Sequence, residues 1–479
     1  MKKWLHIIGV AGVATSAIAL MYRKLGWHVS GSAKGFYPPV SNYLKDHSFE
    51  ILIGYKAVHL TDAFGNHPDL VLYQGLENPN NLEMLNAKKL KLKLITYPEL
   101  VAAMIIKSGN SIVVAGTYGK TTITALLVNI FNAAKIENSH LIGAIPVQKI
   151  STAKVKTSNT KWSIVEGDEY LVSLTNPNSK FFQYQPTHLI LNAIQWDHAD
   201  LFPTEKNYLE NFKKLILQLP ANGLLVANAN NQNVVTIAKF AKCQVIYYAA
   251  DKSSCFIKPD WYLLESSRPL PTLIRQTPGI DPEIIPFERN IPGRFNNENI
   301  LAAAVLSAEL GIKKERIQEG IEEFQGIKRR LEIIYQNEHL IVMDDFGSSP
   351  PKAAGALKSV KTDYPDAEII AIFEPNTGNR TPESLHLYKN TFQDADLIIL
   401  PRFTKLPLTK IKRFDATILQ KELLRFHKNV ILELNDNELI ENLLNQTITK
   451  KRKVIIFLGS HSFRGMIDQF VTKLKNEES

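Results

Sequence analysis

A short run in the first half of the chain, GTYGKTT at 116–122, constrains the fold more than any other feature. It follows the apolar stretch 111–115 and precedes an apolar segment, so it predicts a strand, a glycine-rich turn and a helix in that order. In such a turn the backbone N–H groups and the helix N-terminus face phosphate oxygens. The common pattern has a further glycine where this chain has Val114. A helix start that binds no ligand is the alternative interpretation.

The rest of the chain alternates short apolar strands with helical patterns, which predicts α/β domains built on parallel sheets. A length of 479 residues exceeds what one hydrophobic core covers and favours about three domains. We expect these domains at 1–107, 108–325 and 326–479. A proline-rich and polar stretch at 258–290 interrupts the pattern and predicts surface loops or a small antiparallel piece.

The composition, with 45% apolar and 22% charged residues, fits a folded enzyme and excludes wholesale disorder. The net charge of +9 is spread along the chain without a basic arm, so we expect an anionic small substrate and no nucleic-acid partner. Two cysteines, Cys243 and Cys255, cannot form a disulfide framework or a zinc cluster, which favours a reducing, cytoplasmic location. No segment approaches the ~20 unbroken apolar residues of a membrane span.

The first residues have a basic start, an apolar stretch and a small-residue motif at 17–19, all typical of a signal peptide. His6 interrupts the apolar run, and a second strand follows, which favours a folded strand–turn–helix unit instead. Its turn contains Gly9 and Gly12, followed by Thr15, and places a helix start where a diphosphate could lie. NAD is not favoured, because the turn lacks G-x-G-x-x-G and the second strand ends Gly31-Ser32-Ala33 without an acidic residue.

Two acidic clusters follow predicted strands of the central region, at the edge where open α/β sheets bind ligands. Glu166, Asp168 and Glu169 come at the end of one strand and suit a divalent cation, with a solvated loop as the alternative. Asp197-His198-Ala-Asp200 follows another strand and has metal-like spacing. A structural histidine is the alternative interpretation there.

A third polar cluster opens a strongly apolar helix near residue 296. Asn296 and Asn299 are three residues apart, share a helix face and could read a planar base by hydrogen bonds. Helix capping is the alternative role for such residues.

Taken in chain order, these segments resemble the Mur ligase family, the ATP-dependent enzymes that form amide bonds in peptidoglycan synthesis. The resemblance covers nearly the whole chain, from GTYGKTT through Glu166, DHAD and N-x-x-N to Lys-Arg-Arg and Asp-Asp. Several segments further resemble the branch of the family that recycles peptidoglycan, namely Tyr37–Ser41, Lys180–Tyr184, Trp196–Phe202, Lys328–Glu332 and Phe373–Pro375.

The resemblance implies a Rossmann-like UDP-binding domain, a P-loop ATPase-like domain and a C-terminal Rossmann-like domain for nucleotide closure and acceptor binding. It implies ATP and Mg²⁺, with UDP-N-acetylmuramate and a murein tripeptide, or L-alanine, as substrates. The implied catalytic residues are Lys120, Glu166 and His198, and the implied Mg²⁺ ligands are Thr121, Glu166 and His198. The implied ATP-binding residues are Gly116, Thr117, Gly119, Lys120, Thr121, Thr122, Asn296, Asn299, Arg330, Asp344 and Asp345. The implied substrate-binding residues are Gly9, Gly12, Thr15, Ser32 and Arg464.

The sequence departs from the family pattern in all three domains: Ala33 stands where the family has aspartate, and Tyr118 and Phe295 stand where it has histidine. Two serines, Ser348 and Ser349, stand where the family has histidines, and Asn376 stands where the recycling branch has arginine. The acceptor therefore stays open between the tripeptide and L-alanine. Two other classes are alternatives: a dinucleotide oxidoreductase, which leaves the P-loop unexplained, and a nucleotide-binding relative without ligase activity. The candidate cations for an acidic acceptor are Arg380, His386, Arg402, His461 and Arg464.

Overall fold

The computed structural model describes residues 2–36, 39–75, 80–106, 109–199, 201–264, 270–276, 281–293, 295–404, 413–447, 451–460 and 462–477. The chain separates into two compact units. The first contains Met1–Ile194, Leu209–Asn290 and Asn299–Gln325, and the second contains Gln195–Tyr208, Ile291–Glu298 and Gly326–Ser479. The expected division into three domains stays a prediction. Of the residues named above, Tyr37, Pro38, Asp200 and His461 lie outside the described ranges, as do 265–269 and 277–280 of the stretch 258–290.

The first unit begins with a parallel sheet in the order β3-β2-β1-β4-β5. Its strands are β1 (Trp4–Ile8), β2 (His28–Ala33), β3 (Leu52–Ile53), β4 (Leu70–Tyr73) and β5 (Leu94–Thr96). Its helices are α1 (Val13–Lys24), α2 (Val40–Asp46), α3 (Leu82–Lys89) and α4 (Tyr97–Val101). Every residue of β1 is buried and the strand lies between β2 and β4, so the N-terminus folds into the sheet as expected.

A larger sheet of the same unit has the order β17-β16-β15-β14-β13-β12-β6-β9-β7-β8. Its first strands are β6 (Asn110–Ala115), β7 (Asn138–Leu141), β8 (Ala153–Lys154) and β9 (Trp162–Gly167), followed by a hairpin of β10 (Leu171–Ser173) and β11 (Asn176–Ser179). Its later strands are β12 (His188–Leu191), β13 (Leu224–Asn228), β14 (Gln244–Ala249), β15 (Trp261–Leu264), β16 (Thr272–Arg275) and β17 (Glu283–Pro286).

The middle strands of this sheet are parallel, and the helices along this stretch of chain are α5 (Lys120–Ala133), α6 (Glu205–Ile216), α7 (Gln232–Ala238), α8 (Phe295–Glu309) and α9 (Lys314–Glu322). Residues 111–115 of β6 are all buried, which explains why this strand reads as a continuous apolar run. The strands β15, β16 and β17 pair antiparallel at one edge, which confirms the small antiparallel piece predicted near 258–290.

The second unit contains a sheet in the order β18-β19-β23-β20-β21-β22, parallel except for β18. Its strands are β18 (Glu332–Gln336), β19 (Leu340–Asp345), β20 (Glu368–Glu374), β21 (Leu397–Pro401), β22 (Val430–Glu433) and β23 (Lys453–Gly459). Its helices are α10 (Pro350–Asp363), α11 (Ala416–Leu423), α12 (Asp436–Thr447) and α13 (Met466–Glu477). Alternate residues of β20 enter two cores, one containing α10 and α11 and the other α12 and α13, so both faces of the sheet are covered.

The parallel α/β architecture confirms the predicted fold class. Among the described helices, none has both the length and the apolar composition needed to cross a bilayer.

Gly320 marks a close helix contact that yields a stability prediction. It lies on α9, where a Cβ would come within 2.6 Å of Ile130 Cα on α5, and its carbonyl accepts a 2.7 Å hydrogen bond from Asn129. Replacing a helix glycine with alanine ordinarily stabilises by up to ~1 kcal/mol. We expect Gly320→Ala instead to lower the free energy of unfolding by about 1–3 kcal/mol, because the added methyl group overpacks the contact.

The matched control is Gly355→Ala on α10, where a Cβ would meet no atom within 4 Å. This substitution should raise the free energy of unfolding by roughly 0.5–1 kcal/mol. Denaturant unfolding of both variants checks the pair of expectations, and stabilisation by both substitutions would show that α5 and α9 do not pack this closely.

Candidate active site

Residues 116–119 join the end of β6 to the start of α5, as the sequence predicts. Gly116 and Gly119 have φ values of +131° and +83°, which favour glycine. A Cβ at Gly116 would lie 2.7 Å from the carbonyl oxygen of Ala193, and Thr117 N donates to that same oxygen at 2.7 Å. The turn is therefore held by a backbone contact that a larger residue at 116 would prevent.

The Lys120 side chain lies beside this turn and is 14% exposed. Its ammonium donates to the Gly116 carbonyl oxygen at 2.5 Å and to Glu169 Oε2 at 2.8 Å. Burial alone would lower the pKa of Lys120, but the nearby carboxylates of Glu169 and Asp168 raise it above its usual value. Lys120 is therefore charged at neutral pH and positioned to attract an anion.

Thr121 and Glu166 supply adjacent oxygen atoms, with the Thr121 hydroxyl donating to Glu166 Oε2 at 2.7 Å. A Cβ at Gly143 would lie 1.7 Å from Glu166 Oε1, so the missing side chain at 143 makes room for this carboxylate. A hydroxyl and a carboxylate are hard oxygen ligands of the kind that Mg²⁺ prefers. The pair therefore fits the cation expected from the sequence.

Asp168 adds a third carboxylate to this segment. Its Oδ2 accepts a 2.7 Å bond from the ammonium of Lys180. Burial would raise the pKa of Asp168, but Lys180 and Lys120 together hold it well below its usual value. The side chain is therefore ionised, and Lys180 is part of a segment that the sequence relates to the recycling branch.

The two asparagines of α8 lie in different units. Asn299 is buried in the first unit, and its Oδ1 would be 2.5 Å from a Cβ at Gly119. Asn296 is buried in the second unit, and its amide donates to the Pro292 carbonyl oxygen at 2.5 Å. Thr122, in the first turn of α5, is also buried. Their contact with adenine stays a prediction.

The Asp-His segment belongs to the second unit and is organised around Asp197, whose side chain is fully buried. Its two oxygens accept bonds from Lys352 Nζ at 2.9 Å, from the Asn379 amide at 2.8 Å and from His198 N at 2.8 Å. Burial would raise the pKa of Asp197, but His198, Lys352 and Asn379 hold it well below its usual value. His198 itself has a φ of +55°, which is a strained backbone conformation for this residue. The hydrogen bond from His198 N to the buried Asp197 carboxylate stabilises that conformation.

Sequence reasoning did not identify Lys352 or Asn379. Lys352 is 155 residues from Asp197, so spacing could not pair them. One local signal existed, because Lys352 lies in the first turn of α10, where a helix dipole disfavours a cation. A lysine at that position indicates a nearby anion.

The Lys-Arg-Arg segment forms a turn in the second unit with positive φ at Arg329 (+60°) and Leu331 (+49°). Arg329 Nε donates to Asp344 at 2.8 Å, and Leu331 N donates to Asp345 at 2.8 Å. Burial raises the pKa of Asp344 to about 6 despite Arg329, and burial also raises the pKa of Asp345. The guanidinium carbon of Arg330 lies 5.2 Å from the centre of the Phe346 ring. Nucleotide contacts of Arg330 and the two aspartates stay predictions.

The N-terminal turn borders a cavity of about 580 Å³ lined by Gly9, Gly12, Lys34, Tyr55, Gln74 and Asn81 among others. Gly9 has a φ of +84°, and its carbonyl accepts bonds from Thr15 Oγ1 at 2.8 Å and from the Gln74 amide at 3.0 Å. The amide of Gln74 also lies 2.9 Å from where a Cβ at Gly12 would be. Gln74 was not predicted and lies directly over the turn.

Ser32 acts on this turn from a buried position. Its carbonyl accepts bonds from Gly9 N at 2.9 Å and Val10 N at 3.0 Å, while its hydroxyl donates to Glu83 at 2.5 Å. Glu83, which sequence reasoning missed, also bonds His59 Nδ1 at 2.6 Å. Ser32 therefore shapes the turn through its backbone, and its direct contact with substrate stays a prediction.

Arg464 lies after β23 with a φ of +58°. Its Nε and Nη2 donate to the two Asp436 oxygens, both at 2.8 Å, and its Nη1 donates to Glu374 at 3.2 Å. Arg402 also bonds Asp436 at 3.0 Å, and Arg380 bonds Glu374 at 2.9 Å. Three arginines and two carboxylates thus alternate at the carboxyl edge of the sheet, where a doubly wound fold binds ligands.

Two family descriptions match the chain. Residues 5–108 match the catalytic domain of the Mur ligase family, and residues 114–307 match the Mur ligase middle domain. A UDP-N-acetylmuramate–L-alanine ligase of Alkaliphilus metalliredigens is 30% identical over 398 residues, which cover 83% of this chain and 82% of that protein.

Two solved structures have a similar fold over nearly the full length. A murein peptide ligase from Psychrobacter arcticus has a TM-score of 0.75 and 23% identity, with 99% of each chain covered. A UDP-N-acetylmuramate–alanine ligase from Thermotoga maritima has a TM-score of 0.75 and 20% identity, with 100% of each chain covered.

The buried Asp197–Lys352 pair makes a stability prediction. Lys352→Met leaves the Asp197 carboxylate buried without its cation, and we expect it to lower the free energy of unfolding by about 3–5 kcal/mol. The double variant Asp197→Asn/Lys352→Met removes both charges and should recover part of that loss, as denaturant unfolding would measure.

The control is Lys473→Met, which breaks an exposed ion pair with Glu441 and should change stability by no more than ~1 kcal/mol. Because folding lowers the pKa of Asp197, the stabilisation is present above the usual aspartate pKa of about 3.9 and is lost as the pH falls below it. Equal losses in the single and double variants would show that the unpaired Asp197 carboxylate is not what destabilises Lys352→Met.

Proposed function

Because the chain belongs to the Mur ligase family, whose members are ATP-dependent, ADP-forming amide ligases, we propose that it joins UDP-N-acetylmuramate to a murein tripeptide. The bond would form between the lactyl carboxylate of the sugar nucleotide and the N-terminal amine of the peptide, as a cytoplasmic step of peptidoglycan recycling. The observation that carries the ligase chemistry is the Lys120–Thr121 turn set against Glu166, Asp168 and Glu169.

A carboxylate is a poor acylating agent, so the reaction needs activation. A carboxylate oxygen attacks the γ-phosphorus of ATP, ADP leaves, and an acyl phosphate forms. The acceptor amine then attacks the acyl carbon, loses a proton, and expels inorganic phosphate from the tetrahedral intermediate. The protein's task in such transfers is to position the groups and to neutralise negative charge.

The residues implied for the phosphates and for Mg²⁺ suit that task. Lys120 would hold the β- and γ-phosphates, since its charged ammonium lies beside the turn whose N–H groups face them. The backbone at Gly116, Thr117 and Gly119, with the Thr122 hydroxyl, would complete the phosphate contacts. Mg²⁺ held by Thr121 and Glu166, with a second ion held by His198, would neutralise the phosphates and orient the substrate carboxylate.

The remaining predicted residues would hold the two nucleotides. Asn296 and Asn299 would face adenine, Arg330 a phosphate, and one of Asp344 and Asp345 the ribose. The cavity at Gly9, Gly12 and Thr15 would receive the UDP diphosphate, with Ser32 fixing the turn. In this proposal residues 1–107 bind the UDP substrate, 108–325 bind ATP, and 326–479 close on the nucleotide and bind the acceptor.

The tripeptide acceptor is supported by the segments that resemble the recycling branch and by the arginines around Glu374. L-Alanine is the second candidate, because the relative from Alkaliphilus metalliredigens is named for that acceptor. The neutral residues Ser348, Ser349 and Asn376 weaken the case for a peptide with several carboxylates. The ion pair of Arg464 with Asp436 means that an acceptor carboxylate would share this cation with Asp436.

The ATP assignment predicts the effect of Lys120→Ala. We expect ATP turnover in the presence of UDP-N-acetylmuramate and acceptor to fall about 10²–10³-fold, because a positioned charge facing the phosphates is lost. Released phosphate measures the rate, and circular dichroism checks that the variant is folded. The control is Lys154→Ala, which removes an ammonium from an exposed pair with Glu137 and should leave turnover unchanged. Near-normal turnover in folded Lys120→Ala would contradict the phosphate role.

The acceptor prediction is tested by parallel reactions with L-alanyl-γ-D-glutamyl-meso-diaminopimelate and with L-alanine. We expect a UDP-linked product of the tripeptide mass, formed only with ATP, and little product with L-alanine. Mass spectrometry distinguishes the two products directly. Product from L-alanine alone would overturn the recycling assignment and leave the ligase assignment standing, whereas ATP binding without any product would favour a relative that has lost ligase activity.

A further inference from the structure

The three carboxylates at the end of β9 each have a different hydrogen-bonding partner. Glu166 accepts from the Thr121 hydroxyl, Asp168 pairs with Lys180, and Glu169 pairs with Lys120. The last pair stands out because Glu169 is 1% exposed and its oxygen lies 2.8 Å from the Lys120 ammonium. Lys120 is also the group assigned above to the phosphates of ATP. In this structure a carboxylate of the protein therefore contacts the ammonium that a phosphate would contact.

We propose that Glu169 occupies the phosphate position of Lys120 until a nucleotide displaces it, and that this exchange makes nucleotide binding depend on an accompanying divalent cation. The proposal rests on the proposed function, since it assumes that Lys120 binds nucleotide phosphates. The sequence pattern of this segment predicts metal ligands, whereas the contact with Lys120 gives Glu169 a positioning role.

The charges of this segment explain the coupling. Three carboxylates lie against two lysines, Lys120 and Lys180, so the cluster already carries an excess negative charge. When a polyanionic phosphate binds the Lys120 ammonium, Glu169 loses the cation that lies 2.8 Å from its Oε2 atom. The Glu169 carboxylate then lies close to a second anion. Separating a buried carboxylate from its cation is costly, and like charges at short range add to that cost.

A divalent cation that arrives with the nucleotide offsets both costs. Held by Thr121 and Glu166, the residues proposed for it, the ion would supply positive charge while Lys120 exchanges a carboxylate for a phosphate. Metal-free ATP has no such compensation and must compete directly with Glu169 for Lys120. The protein therefore discriminates between ATP with and without its cation through one of its own side chains.

The test is Glu169→Gln, which keeps the shape of the side chain and removes its charge. Isothermal titration calorimetry with ATP in excess Mg²⁺ and with ATP in EDTA gives two dissociation constants and their ratio. We expect Glu169→Gln to bind metal-free ATP roughly tenfold more tightly than the wild type does, since one charge-assisted contact no longer competes. Binding in Mg²⁺ should change less, so the ratio should fall.

The matched control is Glu137→Gln, the same chemical change in the exposed Glu137–Lys154 pair of the same unit. It should keep both dissociation constants. If the Glu169→Gln protein does not fold, Glu169→Asp replaces it, because shortening the side chain by one methylene weakens the same pair and should shift metal-free binding in the same direction.

The outcomes separate this inference from the proposed function. Weaker or unchanged metal-free binding in the Glu169 variant overturns the exchange, even if binding in Mg²⁺ collapses, which would mark Glu169 as a metal ligand instead. A wild type that binds no ATP under either condition overturns the proposed function. Tighter metal-free binding confined to the Glu169 variant supports the exchange.

Discussion

The contact between the turn at 116–119 and the carbonyl of Ala193 determines the geometry of the candidate site. Because Gly116 has no side chain, the turn can approach the segment after β12, and Thr117 N donates a hydrogen bond to the carbonyl oxygen of Ala193. That position sets the direction in which α5 begins, with Lys120 and Thr121 in its first turn. The partners of those two residues, Glu169 and Glu166, come from the end of β9, the other neighbour of β6. One backbone contact thus positions the helix start whose side chains meet the carboxylates of a neighbouring strand.

Charge neutralisation inside the protein is the second organising principle. Lys120 is balanced by Glu169, Asp197 by Lys352, and Arg464 by Asp436, and most of these groups are largely buried. Buried charges without partners are costly, so each must find an opposite charge in the ligand-free protein. Under the proposed function, ligands with phosphates or carboxylates would exchange with protein groups that already make those contacts. Binding at such sites depends on differences between two sets of ion pairs.

The sequence predicted what depends on contiguous residues. The turn at 116–119, the parallel sheets and the antiparallel strands near 258–290 follow from local patterns, and the structure confirms them. It did not predict partners that folding brings from afar, such as Lys352 for Asp197 or Glu83 for Ser32. Periodicity and motif spacing carry no information about which distant side chain neutralises a buried group. The groups missed are therefore those that support the motif residues.

Gly143 illustrates a requirement of the site that involves no chemistry. Any side chain there would take the volume that the Glu166 carboxylate occupies, since even a Cβ would lie 1.7 Å from its oxygen. A designer who transplanted Lys120, Thr121 and Glu166 onto another scaffold would have to transplant this empty volume as well. The same holds for substitutions during evolution. A change from glycine to alanine at 143 would displace the Glu166 carboxylate, although Lys120, Thr121 and Glu166 would all remain in the sequence.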